Sequence, residues 1–183
     1  MKAPAIDNQA ELQRIHKSIK SKFKDKKLIF GSGLVGAKIL LVSEMPGNAE
    51  IQESKPLTGL AEKTLLQILK SVGIDKNKIY ITNAVKYSPT AGKNITPKEM
   101  KSHSNFLKEE LKVLAPEVVV TLGTVALNGV GLRQPLDNVH GRTFNFGSYT
   151  MVPTFHPIQA SSSPEIKKRM EVDLAKVKEL VKK

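Results

Sequence analysis

The sequence predicts an α/β protein in which a central, mostly parallel four-stranded sheet lies between two layers of helices. Four short apolar runs alternate along the chain with segments of helical periodicity, and this alternation is typical of parallel sheets. The chain has 183 residues, which is enough for one domain with a sizeable core. We therefore expect a single domain over residues 1–183.

The first part of the chain predicts a helix, a strand and a second helix. Residues 8–23 carry apolar side chains at three- and four-residue spacing behind Asp7 and Asn8, either of which can cap an amphipathic helix. The run KILLVS at 38–43 has the character of a fully buried strand. A second apolar stripe around 65–72 predicts a helix that ends at the glycine after it.

The rest of the chain predicts two more helices and three more strands. Thr96 begins a capping box with a proline at the first helical position, which predicts a helix over 97–114. A last helix is predicted from Ser163 onward. The remaining strands are predicted in three apolar runs, at 79–85, 117–123 and 149–155.

Composition excludes several classes of protein. The chain has no cysteine, so disulfides, thiolate nucleophiles, cysteine-held zinc and cysteine-ligated iron–sulfur clusters are all excluded. No apolar run approaches the roughly 20 residues that span a bilayer, so we expect no membrane association. The polar residues after Met1 do not form the apolar core of a secretory signal, so we expect a cytoplasmic protein.

The charge balance favours a polyanionic partner. The chain has 29 Lys and Arg against 17 Asp and Glu, a formal net charge of +12. Six lysines fall within residues 17–27, and a second basic set lies within residues 167–183. Nucleic acid is the partner that such sets favour, although a solvated lysine-rich face remains the alternative interpretation.

Three polar side chains come at or just after the ends of predicted strands. Glu44 follows the first strand, Asn83 lies at the end of the second, and His156 follows the fourth. Because open parallel sheets bind ligands at the carboxyl ends of their strands, we expect these side chains to share one site. Structural interpretations stay open, since Glu44 can cap the turn after it, and buried amides and histidines often only hydrogen-bond.

Four ordered blocks of sequence resemble the family 4 uracil-DNA glycosylases. SEMPGNAEIQESKPLTG at 43–59 is similar to that family's first motif, which is usually close to GEAPGxxEDxxGxPFVG. YITNAVK at 80–86, APEVVVTLGTVAL at 115–127 and PTFHP at 153–157 resemble its later motifs in the same order. The resemblance covers about residues 28–180.

The resemblance implies a role for each of the polar residues. Asn83 would hydrogen-bond the edge of uracil, and His156 would face uracil O2. Glu50 would stand near C5 and screen out the methyl group of thymine, and Glu44 would help to set the geometry of the water or of the motif. The other implied substrate-binding residues are Met45, Pro46, Gly47 and Leu57. The implied DNA-binding residues are Lys86, Gly123, Ser161 and Ser162.

The chemistry of these residue types agrees with that assignment. Breaking an N-glycosidic bond without a cofactor leaves a uracil anion, which hydrogen-bond donors at O2 and O4 stabilise. An asparagine such as Asn83 can donate to O4 and accept from N3–H, whereas cytosine reverses both groups. Extruding the base from a duplex costs a few kcal/mol, which phosphate contacts from lysines can offset.

The chain departs from the family pattern where the family holds a four-cysteine iron–sulfur cluster. By register, Tyr87 and His103 take two of the cysteine positions, and His16 and Ile19 take the others. We predict that no cluster forms, and that packing among the N-terminal helix, Tyr87 and the helix at 97–114 replaces it. His103 alone fits a half-buried histidine on a helix.

Other departures affect the substrate site. Leu57 stands where the family has a phenylalanine that stacks on uracil, so the uracil base is expected to bind more weakly. Met45 replaces a small residue at a position where another glycosylase family has a water-activating carboxylate. Ser161 and Ser162 replace the Leu-Arg pair of the family, so the resemblance does not imply which side chain here fills the vacated stack. His140 replaces an arginine.

These observations lead to one main hypothesis and two alternatives. The main hypothesis is a monomeric, monofunctional glycosylase that removes uracil from single- or double-stranded DNA with water as the nucleophile and no cofactor. The loop at 87–96 contains no histidine, so covalent trapping of DNA is not expected. The alternatives are a nucleic-acid-binding protein of the same fold without turnover, and a glycosylase for hypoxanthine or xanthine.

Overall fold

The computed structural model describes residues 7–90 and 94–181. The polar start of the chain, the middle of the loop at 87–96 and the last two lysines of the C-terminal basic set lie outside the described residues. The α-helices in the described ranges are α1 (Asn8–Lys22), α2 (Asn48–Glu53), α3 (Gly59–Val72), α4 (Pro97–Leu114), α5 (Thr124–Val130), α6 (Leu136–Val139), α7 (Pro157–Ser162) and α8 (Pro164–Leu180), and a short 3₁₀ helix spans Lys76–Lys78. The strands are β1 (Ser32–Gly33), β2 (Ile39–Ser43), β3 (Ile79–Asn83), β4 (Val118–Leu122), β5 (Phe144–Asn145) and β6 (Thr150–Thr154).

The strands form one sheet in the order β1-β3-β2-β4-β6-β5. The four inner strands are parallel, and the two edge strands run antiparallel to their neighbours. The prediction of four strands was therefore wrong, because the described part of the sheet has six. Edge strands of two residues are too short to show any alternating hydrophobic pattern in the sequence.

Edge strand β1 depends on a glycine. Gly33 has a φ of +123°, and a Cβ atom built on it would lie 2.4 Å from the carbonyl oxygen of Ile79 on β3. Any side chain at this position would push the edge strand off the sheet, since a Cβ atom cannot approach a backbone oxygen so closely. The glycine-rich segment before the first long strand thus pairs with β3.

Two groups of helices cover the sheet. Helices α1, α4 and α5 pack together, and α5 contacts β2 and β4. Helices α3, α7 and α8 form a second group, in which α8 contacts β4 and β6. Strands β2 and β4 are buried along their whole length, because each lies between neighbouring strands and beneath helices. The predicted three-layer α/β/α class is confirmed.

Local signals located the long helices well and the short ones poorly. Helix α4 has the predicted bounds, since the hydroxyl of Thr96 accepts from the amide of Glu99, and the Glu99 carboxylate accepts from Thr96 in return. Helix α1 is capped by Asp7. Helix α3 begins at Gly59, earlier than its apolar stripe. Four helices of four to seven residues were not predicted, because so few residues show no reliable period.

Across the described ranges, we find no helix that combines the length and the apolar character needed to cross a membrane.

Candidate active site

The parallel strands bring the three predicted polar residues to one edge of the sheet. Glu44 directly follows β2, Asn83 ends β3, and His156 lies two residues after β6. Ser43 and Asn83 are register partners, so their side chains leave the same face of the sheet. The Ser43 hydroxyl lies 3.1 Å from Nε2 of His156. Ser43 on β2 therefore lies next to Asn83 on β3 and also contacts His156.

A cavity of about 370 Å³ opens at this edge, within the range of about 300–1,000 Å³ usual for small-molecule pockets. Several predicted site residues line it, namely Glu44, Met45, Gly47, Glu50, Leu57 and His156. The remaining lining residues include Thr58, Leu60 and Ile158. Pro46 is buried beside them.

A wider groove of about 820 Å³ lies near Ile39, at the start of β2, and so at the opposite edge of the sheet. Ligands of open parallel sheets bind at the carboxyl edge. The smaller cavity is therefore the candidate active site, because it alone of these two lies where the strands end.

The hydrogen bonds of His156 define which ring nitrogen carries the proton. The backbone amide of Ile158 donates to Nδ1 at 3.2 Å, so Nδ1 is an acceptor and Nε2 carries the hydrogen. Burial lowers the pKa of His156, and the charge of Glu50 opposes part of that shift. The imidazole is thus a neutral donor at pH 7, with its N–H directed toward the Ser43 hydroxyl.

The side-chain amide of Asn83 is buried and has no hydrogen-bond partner in the part of the chain that the structure describes. The residue has no exposed surface, and neither Oδ1 nor Nδ2 makes a hydrogen bond to any described residue. Leaving such a group unpaired costs about 1–3 kcal/mol in proteins. Asn83 does not line the cavity surface, so a ligand has to displace part of the lining to reach it.

Glu44 is fixed by the helix that follows β4. Its Oε1 accepts from the amide of Val125 at 3.1 Å, in the first turn of α5. Gly123 makes this possible, because it has a φ of +96° and a Cβ there would overlap the Glu44 carboxylate. Glu44 therefore caps the start of α5, whereas the sequence had left open that it caps the turn after β2. Burial raises the pKa of Glu44, and the bond from Val125 partly opposes that.

Glu50 holds the loop that forms one wall of the cavity. Its Oε2 accepts from the amide of Gly47 at 3.0 Å, and its Oε1 accepts from both the amide and the hydroxyl of Thr58 at 3.1 and 3.0 Å. The carboxylate thus ties the start of α2 to the start of α3. Its predicted contact with C5 of uracil remains a prediction.

Two of the predicted DNA-binding residues are buried. Lys86 is 1% exposed, and its ammonium donates to Oε2 of Glu110 at 2.6 Å, to the Thr82 hydroxyl at 2.6 Å and to the Asn83 carbonyl at 2.7 Å. The prediction that Lys86 contacts DNA was wrong, since a neutralised, buried ammonium cannot reach a phosphate. Gly123 is also buried, and its amide donates to the Thr154 carbonyl at 2.9 Å, so it shapes the site. Its contact with DNA remains a prediction.

Ser161 and Ser162 lie in a groove of about 560 Å³ beside the cavity. The groove also contains Lys63 and Lys167, so its charge suits a phosphate backbone. The hydroxyl of Ser161 donates to the Ile158 carbonyl at 2.6 Å. Contact of these serines with DNA remains a prediction.

Aromatic packing occupies the region of the family's iron–sulfur cluster. The ring of His103 stacks on Phe23 at 4.5 Å and meets the edge of Tyr87 at 5.0 Å. His103 is 1% exposed, so it is fully buried and not half-buried. Ile19 is also buried, and the described residues contain no group of three or more His, Cys, Asp or Glu that could hold a metal. These residues do not fit a cysteine-ligated cluster. The packing predicted among the N-terminal helix, Tyr87 and the helix at 97–114 is present.

Lysines of the first basic set lie over these rings. Lys22 is 5.3 Å from the ring centroid of Phe106, and Lys26 is 5.1 Å from that of Tyr87. Part of this basic set therefore contributes to the aromatic cluster through cation–π contacts.

The free energy of unfolding is expected to fall as the pH drops below about 6.5, partly because of His103. Its Nδ1 donates to the Glu99 carbonyl at 3.0 Å, which leaves Nε2 buried without a partner among the described residues. Burial lowers the pKa of His103, and the charges of Lys86 and Lys22 lower it further. The unfolded chain then binds a proton that the folded chain does not, so the stabilisation present above pH 6.5 is lost toward the lower folded pKa.

Urea unfolding of the parent and of His103→Phe at pH 7.5 and 5.5 measures this effect. A phenylalanine at this position can keep the ring contact with Phe23. Between pH 7.5 and 5.5, the free energy of unfolding of the variant is expected to fall less than that of the parent, by up to about 1.4 kcal/mol per pH unit. Since parent and variant share every other titrating group, equal losses would show that His103 does not titrate as described.

Sequence reasoning missed Ser43 and Ile158 as parts of the site. Ser43 was visible only as the last residue of a strand, and its hydrogen bond to His156 spans 113 residues. Ile158 lies two residues after His156, and an apolar residue there gave no signal of its own. One hint was present in the sequence, since Ile158 closely follows a histidine at a strand end.

Comparisons with known proteins agree with this geometry. A family model described as "Uracil DNA glycosylase superfamily" matches residues 30–176. A "Type-4 uracil-DNA glycosylase" of Thermotoga maritima is 30% identical over 161 residues, which cover 85% of this chain and 84% of that protein. Proteins of the same name from Saccharolobus solfataricus and Sulfurisphaera tokodaii are 30% and 29% identical, over 92% and 82% of this chain and 82% and 73% of their own. The chain therefore belongs to the uracil DNA glycosylase superfamily and, within it, to the type-4 family.

Proposed function

We propose that this protein removes uracil from DNA as a monofunctional glycosylase. The observation that carries the proposal is the buried, unpaired amide of Asn83 on the strand next to Ser43, whose hydroxyl meets His156 at the cavity. A uracil base offers that amide both of its missing partners, because O4 accepts from Nδ2 and N3–H donates to Oδ1.

His156 would stabilise the leaving group. When the bond between C1′ and N1 breaks, the electron pair goes to the base, and negative charge spreads over O2 and O4. The Ile158 amide holds Nδ1 as an acceptor, so Nε2 of the neutral imidazole keeps its hydrogen. That N–H can then donate to O2 of the base in place of the Ser43 hydroxyl. A donor already oriented in a buried site stabilises that charge without the cost of reorganisation.

Glu44 would position the water that attacks C1′. It lines the same cavity, and the Val125 amide fixes one of its oxygens. Burial raises the pKa of Glu44, which makes its carboxylate a better acceptor for a proton of that water. The water oxygen then bonds to C1′, and an abasic site remains.

The shape of the cavity would separate uracil from other bases that present the same edge. Thymine adds a methyl group at C5, on the side that we assign to Glu50. Hypoxanthine offers the same acceptor and donor as uracil but has a second ring, so cavity size decides whether it enters. Cytosine reverses both groups and would leave Asn83 unpaired.

We propose that the protein acts as a monomer. Its net charge of +12 suits either single- or double-stranded DNA. We expect it to work in the cytoplasm.

Excision from oligonucleotides that contain uracil, hypoxanthine, xanthine or thymine tests this function. The parent is expected to leave an abasic site only at uracil, and His156→Ala is expected to reduce the rate about 10²–10³-fold, as for the loss of one anion-stabilising donor. Preferred cleavage at hypoxanthine or xanthine would reassign the substrate. Salt-dependent binding without any abasic product would show a DNA-binding protein without turnover.

A further inference from the structure

The Ser43 hydroxyl keeps one hydrogen-bond donor that no described residue accepts. It lies 3.1 Å from Nε2 of His156, and because Nε2 carries the hydrogen, the hydroxyl oxygen is the acceptor of that bond. The Ser43 O–H group makes no other hydrogen bond within residues 7–90 and 94–181, not even to the Asn83 amide beside it. Ser43 is 1% exposed, so bulk water does not accept the proton either.

We propose that Ser43 is a catalytic residue, whose hydroxyl donates a hydrogen bond to O2 of uracil beside the N–H group of His156. This inference rests on the proposed function. When the Nε2–H group turns to O2, the Ser43 hydroxyl loses its partner, and a carbonyl oxygen such as O2 has a second lone pair for it. The departing base would then have two donors at O2 and the Asn83 amide at O4.

The order of the strands supports this placement. β2 lies directly beside β3, and Ser43 and Asn83 are register partners at the ends of these strands. Their side chains leave the same face of the sheet, on strands that lie about 4.8 Å apart. His156 reaches Ser43 from the other side, since β6 is separated from β2 by β4. The three polar groups therefore form a row, along which the O4–N3–O2 edge of one uracil can lie.

Both donors at O2 act where negative charge develops. As the bond between C1′ and N1 breaks, its electron pair goes to N1 and is shared with O2 and O4, so uracil leaves as an anion and neither donor gives up its proton. A hydroxyl already held in a buried site stabilises this charge without the cost of reorganisation. Because its hydrogen bond strengthens as O2 becomes negative, Ser43 would lower the barrier to bond breaking more than it raises the affinity for DNA.

Donors at O2 also add to the discrimination among bases. Hypoxanthine presents the same acceptor and N–H group to Asn83 as uracil does, but it carries a C–H group where uracil has O2. It would leave both Ser43 and His156 unpaired, which is costly in a buried site. We therefore expect these residues to reject hypoxanthine through hydrogen bonding as well as through its size. Xanthine keeps the oxygen, so only its second ring counts against it.

Single-turnover excision of uracil by Ser43→Ala tests the proposal. The rate is expected to fall about 10–100-fold, the effect of one hydrogen bond to a charged group, while the affinity for uracil-containing DNA changes less than about twofold. Ser43→Thr keeps the hydroxyl and is expected to retain most of the rate. Thr121→Val is the matched control, because it removes a buried hydroxyl on the opposite face of the sheet and is expected to be as fast as the parent. An unchanged or faster rate in Ser43→Ala would overturn the proposal.

Two further measurements separate direct contact with the base from an effect through His156. Adding Ser43→Ala to His156→Ala is expected to cost about another tenfold, and no further loss would show that Ser43 acts only through the imidazole. On DNA that contains 2-thiouracil, whose sulfur is a weak acceptor, Ser43→Ala is expected to lose less than about threefold. An equal loss on uracil and 2-thiouracil would show that Ser43 does not act at O2.

The parent protein separates this inference from the proposed function. A parent that excises no uracil would refute the proposed function and this inference with it. An active parent together with an equally active Ser43→Ala would refute the inference alone.

Discussion

Replacing Asn83 by leucine is expected to lower the rate of uracil excision about 10²–10³-fold without lowering the stability of the protein. The buried amide has no partner among the described residues, so an apolar side chain of similar size removes an unpaired polar group. The free energy of unfolding is then expected to stay unchanged or to rise by about 1–3 kcal/mol. A residue kept only for structure would not show this combination.

Single-turnover excision and urea unfolding on the same preparations measure both quantities. Thr121→Val is the matched control, because the Thr121 hydroxyl is also buried without a partner among the described residues. Its register partner is Val42, so its side chain leaves the face of the sheet opposite to that of Ser43 and Asn83. The control is expected to be at least as stable as the parent and fully active. A large loss of stability in Asn83→Leu would mean that the amide holds the fold together, and would argue against its role as the reader of uracil.

Removing the carboxylate of Glu110 is expected to destabilise the protein by about 3–5 kcal/mol, because it leaves the Lys86 ammonium buried without its counterion. Both side chains are 1% exposed, and Nε2 of His16 lies 3.2 Å from the second oxygen of Glu110. Burial alone would raise the pKa of Glu110, but Lys86 and His16 hold that pKa below its ordinary value. This ion pair joins α1 and α4 to the strand end that carries Asn83.

Urea unfolding of Glu110→Ala measures the loss. Glu165→Ala removes an exposed ion pair with Arg169 and is expected to cost less than about 1 kcal/mol. The double variant Lys86→Met, Glu110→Leu removes both charges and is expected to recover most of the stability. A small loss in Glu110→Ala, comparable to that of the exposed pair, would show that the ammonium finds water or another partner.

The fold was predictable where the responsible interactions are local in the chain. Helix α4 could be bounded from its capping box, since Thr96 and Glu99 are three residues apart. Strands β2 and β4 could be located because their runs of branched apolar residues fit a buried parallel sheet. The two edge strands were missed because Ser32–Gly33 and Phe144–Asn145 are defined only by their neighbours.

The site was predictable in its residues but not in their contacts. Strand order placed Glu44, Asn83 and His156 at one edge, as expected from topology. Lys86 was misassigned, because its burial depends on Glu110, which lies 24 residues further along the chain. The cap that Glu44 forms on Val125 spans 81 residues. Such distant pairings leave no mark in a local pattern, so the sequence could name the residues without their partners.

A crystal structure of the protein with free uracil, the expected product, would test the account most directly. It is expected to show uracil at the carboxyl edge of the sheet, with the Asn83 amide bonded to O4 and N3–H and with Nε2 of His156 bonded to O2, each at about 2.7–3.2 Å. Uracil bound in another groove, or bound while the Asn83 amide keeps no partner, would contradict the claim that this amide and this imidazole act on one base.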